Sequence, residues 1–159
     1  MDWAILLRWA HVIGACVLLG TGAGIAFFMV MAHRTGQPAL IAHTARIVVI
    51  ADWIFTASAV IIQPITGALL ANAVGWDLVH TAWLQLSLAL YALTGAFWIP
   101  VVWMQHRMWR LAEAATVAGA PLPPLYHRLY RLWFACGFPA FLAVLTIVWL
   151  MLAKPALTL

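Results

Sequence analysis

Charged residues are scarce in this chain of 159 residues, which has eight Lys or Arg and four Asp or Glu. They make up 8% of the residues, whereas hydrophobic residues make up 67%. A soluble domain has about a quarter charged and about half apolar residues, so this composition excludes a soluble globule. The mean hydropathy of +1.03 indicates instead a chain whose solvent is mostly lipid.

Cysteine is rare as well, and common catalytic motifs are missing. Cys16 and Cys136 lie in apolar runs without a CxxC spacing and are interpreted as small hydrophobic residues, which excludes a disulfide scaffold. The sequence has no phosphate-binding loop, nucleophile elbow, HExxH motif or dinucleotide fingerprint, so hydrolytic and kinase chemistry are not expected. Because the basic residues flank apolar segments, we expect them to contact phospholipid headgroups and not nucleic acid.

Four apolar runs dominate the sequence, at about residues 5–31, 47–71, 83–104 and 132–152. With a helical rise of about 1.5 Å per residue, each run is long enough to cross a hydrocarbon layer of about 30 Å. The first run lacks the basic leader of a cleavable signal and is therefore interpreted as a span. Short connectors between the runs predict antiparallel neighbours. The sequence thus predicts an all-α fold, a four-helix transmembrane bundle with up-down topology, in which residues 1–159 form a single membrane domain.

The cations predict how the bundle is oriented. Near the first and third connectors lie Arg34, Arg46, Arg107, Arg110, Arg128 and Arg131. The opposite side has only Arg8 and Lys154. Because Lys and Arg near span ends resist translocation, this bias places both termini on the periplasmic side of a bacterial inner membrane. Arg110 and Glu113, three residues apart on a helix, are expected to form a weak pair.

The few ionisable residues inside the spans are the strongest candidates for function, because a charge in lipid is costly unless it is paired or hydrated. His11 and Gln63 are expected at comparable depths of the first two spans. Arg8, His11 and Gly14 are spaced by three residues and share one helical face. These residues predict a b-type haem site. The imidazole would bind the iron, the glycine would leave room for the macrocycle, and the cation would bind a propionate.

Two further residues complete this predicted site. Gly67, one turn beyond Gln63, leaves similar room on the second span. His80, near the start of the third span, is the expected second axial ligand, although it lies at a shallower depth than His11. His11 and His80 are thus the predicted iron ligands, with Arg8, Gln63, Gly14 and Gly67 around the haem. The alternative is that His11 forms a hydrogen bond with a neighbouring helix and binds no cofactor.

Other polar residues support a competing function. Asp52 is a candidate proton acceptor, but an ion pair with Arg46, Arg128 or Arg131 is the commoner arrangement for such a residue. Methionines lie near histidines at two span ends, in residues 29–33 and 104–108, and this ligand set suits Cu(I). The alternative is therefore a cofactor-free or copper- or proton-handling component of membrane transport or assembly.

Three motifs together resemble a bacterial family of predicted integral membrane proteins of unknown function. They are Leu7–Ala15 at the start of the chain, Gln63–Gly67 at the end of the second span, and Trp133–Phe141 in the fourth, which runs into Leu150–Pro155. The resemblance covers essentially the whole chain. It implies four membrane helices and names no reaction.

A more distant resemblance is to the HemJ-type protoporphyrinogen oxidases. Ile5–His11 and Lys154–Pro155 are similar to the first-helix and C-terminal patterns of that family, which implies haem b bound through His11. Gln85 and Ser87 stand where that family has a histidine and a lysine in the third helix, and Gly137–Phe138 stand where it has Asn-Glu. The resemblance therefore implies haem binding without porphyrinogen oxidation. Copper-resistance protein D begins helices with a similar tryptophan-histidine pattern, which keeps copper as the competing ligand.

The sequence thus predicts a small integral membrane protein that binds b-type haem and serves electron transfer or another redox role. It assigns no catalytic residue. The expected partners are the lipid bilayer and a redox partner or a second copy of the chain.

Overall fold

The structure is a computed structural model that describes residues 2–157. It contains five α-helices: α1 Trp3–Arg34, α2 Pro38–Ala51, α3 Ala57–Val74, α4 Ala82–Val117 and α5 Pro124–Ala153. A π-helical turn, Asp52–Thr56, joins α2 to α3 without a break, so the two form one continuous helix. No strand occurs within residues 2–157. The chain therefore has four helices long and apolar enough to cross a membrane, and the predicted all-α four-helix bundle is confirmed.

Local chemistry explains where several helices begin and end. The Asp2 carboxylate accepts a hydrogen bond from the Ala4 N–H and so caps the start of α1. Pro38 and Pro124 are first residues of α2 and α5, where a fixed φ and a missing N–H carry no cost. Gly75 ends α3 in the left-handed conformation, with φ of 82°.

The helices extend beyond the apolar runs from which they were predicted. The second helical unit already begins at Pro38, and α4 continues to Val117, about 20 Å past the end of its predicted span at 1.5 Å per residue. On this extension the Arg110 Nη1 and the Glu113 Oε2 atoms are 3.1 Å apart, so the predicted pair is confirmed. Both side chains are about half exposed, so the pair adds little to stability.

The two ends of the bundle are packed differently. We call the end with Asp2, Lys154 and loop 75–81 the terminal end, and the end with loops 35–37 and 118–123 the arginine end. The larger buried cluster lies toward the arginine end and includes the fully buried side chains of Met29, Ile41, Met108 and Tyr126. Toward the terminal end the buried cluster is small: Ala71, Trp83, Leu84 and Leu150. The terminal end is therefore the more open half of the bundle.

The π turn lies where the second helical unit changes its packing partner. The Ala57 N–H donates to the Asp52 carbonyl, five residues back, so the turn is one residue wider than an α-helical turn. Such an insertion shifts the helical phase of the residues that follow it. Before the turn, α2 packs on α4, whereas after it α3 packs mainly on α1. The space between α3 and α4 at the terminal end is left free. No feature of the sequence signals this turn.

Candidate functional site

A cavity of about 350 Å³ lies between α1, α3, α4 and α5 at the terminal end. Most of its wall is aliphatic or aromatic. Its polar side chains are Arg8, His11, Gln63, Trp76, Trp83, Ser87, Tyr91 and Lys154. A largely apolar cavity with a few convergent polar groups is the usual form of a binding site for a small organic molecule.

His11 enters this wall from α1 and is held by α3. Its Nδ1 atom is 3.0 Å from the Thr66 Oγ1 atom. The same hydroxyl donates to main-chain carbonyls of its own helix, since Oγ1 is 3.0 Å from the Ile62 oxygen and 3.1 Å from the Gln63 oxygen. Because the single hydroxyl proton is used there, Thr66 accepts a hydrogen bond from Nδ1–H. In the neutral ring the lone pair is then on Nε2, the tautomer that binds a metal ion through Nε2.

Gly67 and Gly14 each allow one close contact between α1 and α3. A Cβ atom on Gly67 would lie 3.0 Å from the Cε1 atom of His11, so glycine lets the imidazole approach the α3 backbone. A Cβ atom on Gly14 would lie 2.5 Å from the Oε1 atom of Gln63. His11 and Gln63 are therefore at comparable depths, as predicted. Gly67 lines the cavity and Gly14 does not, so Gly14 makes room for Gln63.

Gln63 brings an unsatisfied acceptor to the site. The residue is buried, and its Oε1 atom has no hydrogen-bond partner within the part of the chain that the structure describes. Leaving such an atom unpaired costs about 1–3 kcal/mol. Gln63 is therefore suited to accept a hydrogen bond from a molecule in the cavity.

Two cations from opposite ends of the chain line the same cavity. Arg8 comes from the first turns of α1, and Lys154 immediately follows α5. Lys154 has a φ of 42° and caps α5, and its Nζ atom is 5.7 Å from the centre of the Trp76 ring. Lys154 was not among the predicted site residues. Lys154 could have been predicted as a site residue from the sequence, because it follows the last span and is therefore on the same side as Arg8.

His80, the predicted second ligand, lies apart from the cavity. It is in loop 75–81, its side chain is 81% exposed, and its Nδ1 atom is 2.6 Å from the Oδ2 atom of Asp77. This hydrogen bond holds the pKa of Asp77 below its usual value. The cavity wall does include a second side chain that can bind iron, the thioether of Met151 on α5. A methionine in an apolar run gives no signal in the sequence.

The residues of the competing copper prediction are divided between the core and the surface. Met29, Met104 and Met108 are buried in the cluster toward the arginine end. The His33 ring stacks on Tyr130 at 3.6 Å between ring centres, while His106 is exposed. Across residues 2–157, no three or more His, Cys, Asp or Glu side chains come together as a metal-ligand group.

Asp52 differs from its expected arrangement. The ion pair with Arg46, Arg128 or Arg131 does not form, because the carboxylate is buried inside the bundle whereas those three arginines are exposed. The ion pairs found in residues 2–157 are at the surface and involve other acids. The expected pairing was therefore wrong.

The fold defines an integral membrane four-helix bundle with a cavity at its terminal end. Residues 5–155 match the model of the family described as predicted integral membrane protein, DUF2269, and the chain belongs to this family. No curated protein and no solved structure matches the chain. The family confirms the predicted membrane class.

Proposed function

We propose that this protein binds one b-type haem in the cavity at the terminal end, with the Nε2 atom of His11 as an axial ligand. The observation that carries the proposal is the hydrogen bond between His11 Nδ1 and Thr66 Oγ1, which leaves the Nε2 lone pair for iron. A bound haem would supply one-electron transfer through its iron. The protein's part is to bind the group, orient it and keep it in an apolar environment.

The remaining wall residues fit the chemistry of haem. The aliphatic side chains of α3, α4 and α5 suit the apolar macrocycle. Arg8 and Lys154 are placed to bind the two propionate carboxylates through charge-assisted hydrogen bonds. Met151 takes the place of His80 as the proposed second ligand, because it lines the cavity and carries a thioether that can bind iron, whereas His80 does not line it. Methionine paired with histidine favours a relatively high reduction potential.

Thr66 and Gly67 position the proposed ligand without contacting the haem iron. The Thr66 hydroxyl fixes the tautomer and direction of the imidazole, as partners of metal-binding histidines do. Gly67 lets the ring lie against the α3 backbone. Because His11, Thr66 and Gly67 depend on one another, the α1–α3 contact is the framework of the proposed site.

The test is haem uptake by the purified full-length chain in detergent, followed by absorption. The wild-type chain is expected to bind one haem per chain with a Soret band and sharp α and β bands on reduction. His11→Ala is expected to lose this binding, whereas His43→Ala, which changes an exposed histidine on α2, is expected to retain it. Equal uptake by the two variants, or no uptake by the wild type, would refute the proposal.

We also propose that the protein resides in a bacterial inner membrane with its terminal end in the periplasm. The support is the arginine excess of loops and helix ends at the arginine end, compared with Arg8 and Lys154 at the terminal end. In a chain without Cys16 and Cys136, Asp77→Cys is expected to react with a membrane-impermeant thiol reagent in intact spheroplasts, and Ala118→Cys only after lysis. The reverse pattern would overturn the proposed orientation.

A further inference from the structure

Asp52 is a carboxyl group buried within the bundle and has no role in the proposed haem site. It is 3% exposed and is the first residue of the π turn between α2 and α3. It lies in the half of the bundle toward the arginine end, about 33 Å along the helix from the end of α3 at 1.5 Å per residue. A carboxyl group within a membrane helix is costly and needs a compensating partner.

The polar groups around this carboxyl are unpaired as well. Its polar neighbours are Thr56 on the π turn and Trp98 and Gln105 on α4. Four buried atoms there make no hydrogen bond of normal geometry within residues 2–157: Asp52 Oδ2, Thr56 Oγ1, Trp98 Nε1 and Gln105 Oε1. We call this group the Asp52 pocket. Unpaired buried polar atoms are rare in proteins, and four in one pocket, one of them on the acid itself, call for a specific partner.

The Thr56 hydroxyl lies at the end of the π turn and is unpaired. Six hydroxyl groups elsewhere in the helices donate to the carbonyl four residues back: Ser58, Thr66, Ser87, Thr94, Thr116 and Thr146. For Thr56 that carbonyl belongs to Asp52, which the π turn pairs with the Ala57 N–H. The Thr56 hydroxyl makes no such bond. The wide turn therefore presents both the acid and a hydroxyl to the same pocket, and π turns are frequent at functional sites.

The pocket supplies no counter-charge for a carboxylate. Thr56, Trp98 and Gln105 are neutral, and in the described part of the chain no cationic side chain of any helix forms an ion pair with Asp52. With an ionised carboxylate, the Asp52 oxygens are acceptors, and the donors around them are the Trp98 N–H, the Thr56 O–H and the Gln105 amide N–H. All of these donors are neutral, so the carboxylate charge stays uncompensated, and the Gln105 Oε1 atom has no donor.

We propose that the Asp52 pocket is a proton-binding site. A proton taken up from water forms an O–H bond on the Asp52 carboxylate, which turns that oxygen into a donor for Gln105 Oε1. Trp98 N–H and Thr56 O–H then donate to the carboxyl oxygens, so all four unpaired atoms gain a partner and the buried charge is removed. A metal cation fits less well, because the indole N–H is a donor only and would face it.

The test is infrared spectroscopy of the full-length protein in lipid nanodiscs at neutral pH. The chain has only four acids, and the other three, Asp2, Asp77 and Glu113, are not buried. One carboxylic acid C=O band is therefore expected at neutral pH, and Asp52→Asn is expected to remove it. ¹³C-labelled aspartate should shift the same band, which assigns it even if that variant does not fold.

Variants of the neighbours test the pocket itself. Trp98→Phe and Gln105→Leu each remove one hydrogen bond to the carboxyl and are expected to shift the C=O band. Ser87→Ala is the matched control: it removes a buried hydroxyl of α4 that bonds within its own helix, and the band should not move. The proposal is overturned if the spectrum at neutral pH contains carboxylate bands only, or if added Na⁺ shifts those carboxylate bands. It is also overturned if neither Trp98→Phe nor Gln105→Leu shifts the carboxylic acid band.

Discussion

Replacing Gly67 by alanine tests the proposed site through a single methyl group. The new Cβ atom would lie 3.0 Å from His11 Cε1, 3.5 Å from Nδ1 and 3.8 Å from Nε2. In the free protein the imidazole can rotate away for the loss of one hydrogen bond, that with Thr66. When Nε2 is bound to iron the ring is fixed, so the steric cost falls on the bound state. Overpacking of this kind costs about 1–3 kcal/mol.

We therefore expect Gly67→Ala to weaken haem binding by about 5- to 150-fold, the equivalent of that cost. The assay is titration of the haem-free protein in detergent, followed by the Soret band. Gly95→Ala is the matched control, because a Cβ atom there meets nothing within 4 Å. Helix propensity favours both changes by about 1 kcal/mol, so the difference between them isolates the contact with His11. Equal affinities for the two variants would refute the placement of His11 as the ligand.

Three further changes test individual contacts. Thr66→Val keeps the side-chain shape but removes the acceptor for Nδ1–H, and is expected to lower haem affinity by about 10- to 100-fold in the same titration. His80→Ala is expected to leave the absorption spectrum unchanged, because that side chain lies outside the cavity. Gly14→Ala places a Cβ atom 2.5 Å from Gln63 Oε1 and is expected to lower the free energy of unfolding by about 1–3 kcal/mol in denaturant unfolding.

Each of these has a result that would count against it. Unchanged haem affinity in Thr66→Val would mean that the hydroxyl does not orient the imidazole. A spectral change in His80→Ala would restore the loop histidine as a ligand. For Gly14→Ala the comparison is Gly20→Ala, where the new Cβ atom meets nothing within 4 Å, and equal stability of the two would mean that Gln63 moves aside without cost.

Much of the fold could be predicted because lipid imposes a simple requirement on the sequence. Long apolar runs with charges confined to their ends fit only a bundle of spanning helices, and the chain has four such helices. Depth along a helix follows from the rise per residue, which is why the sequence alone could place His11 beside the Gln63–Gly67 segment. Both inferences need only the length of each apolar run and the rise per residue of a helix.

The rest depends on packing between helices, which apolar runs do not encode. The π turn at Asp52–Thr56 has no distinguishing residue, yet it marks the point after which the second helical unit packs mainly on α1 and no longer on α4. In loop 75–81, His80 forms a hydrogen bond with Asp77, three residues before it, and lies outside the cavity. Met151, Trp98 and Gln105 acquire their positions from the same packing, and none stands out in the sequence.

The central claim is that His11 Nε2 is a ligand of haem iron, and resonance Raman spectroscopy of the reduced, haem-loaded protein tests it most directly. With ¹⁵N-labelled histidine, an iron–ligand vibration is expected to shift in the wild type and equally in His80→Ala. Haem-loaded protein in which no iron vibration responds to labelled histidine would contradict the account.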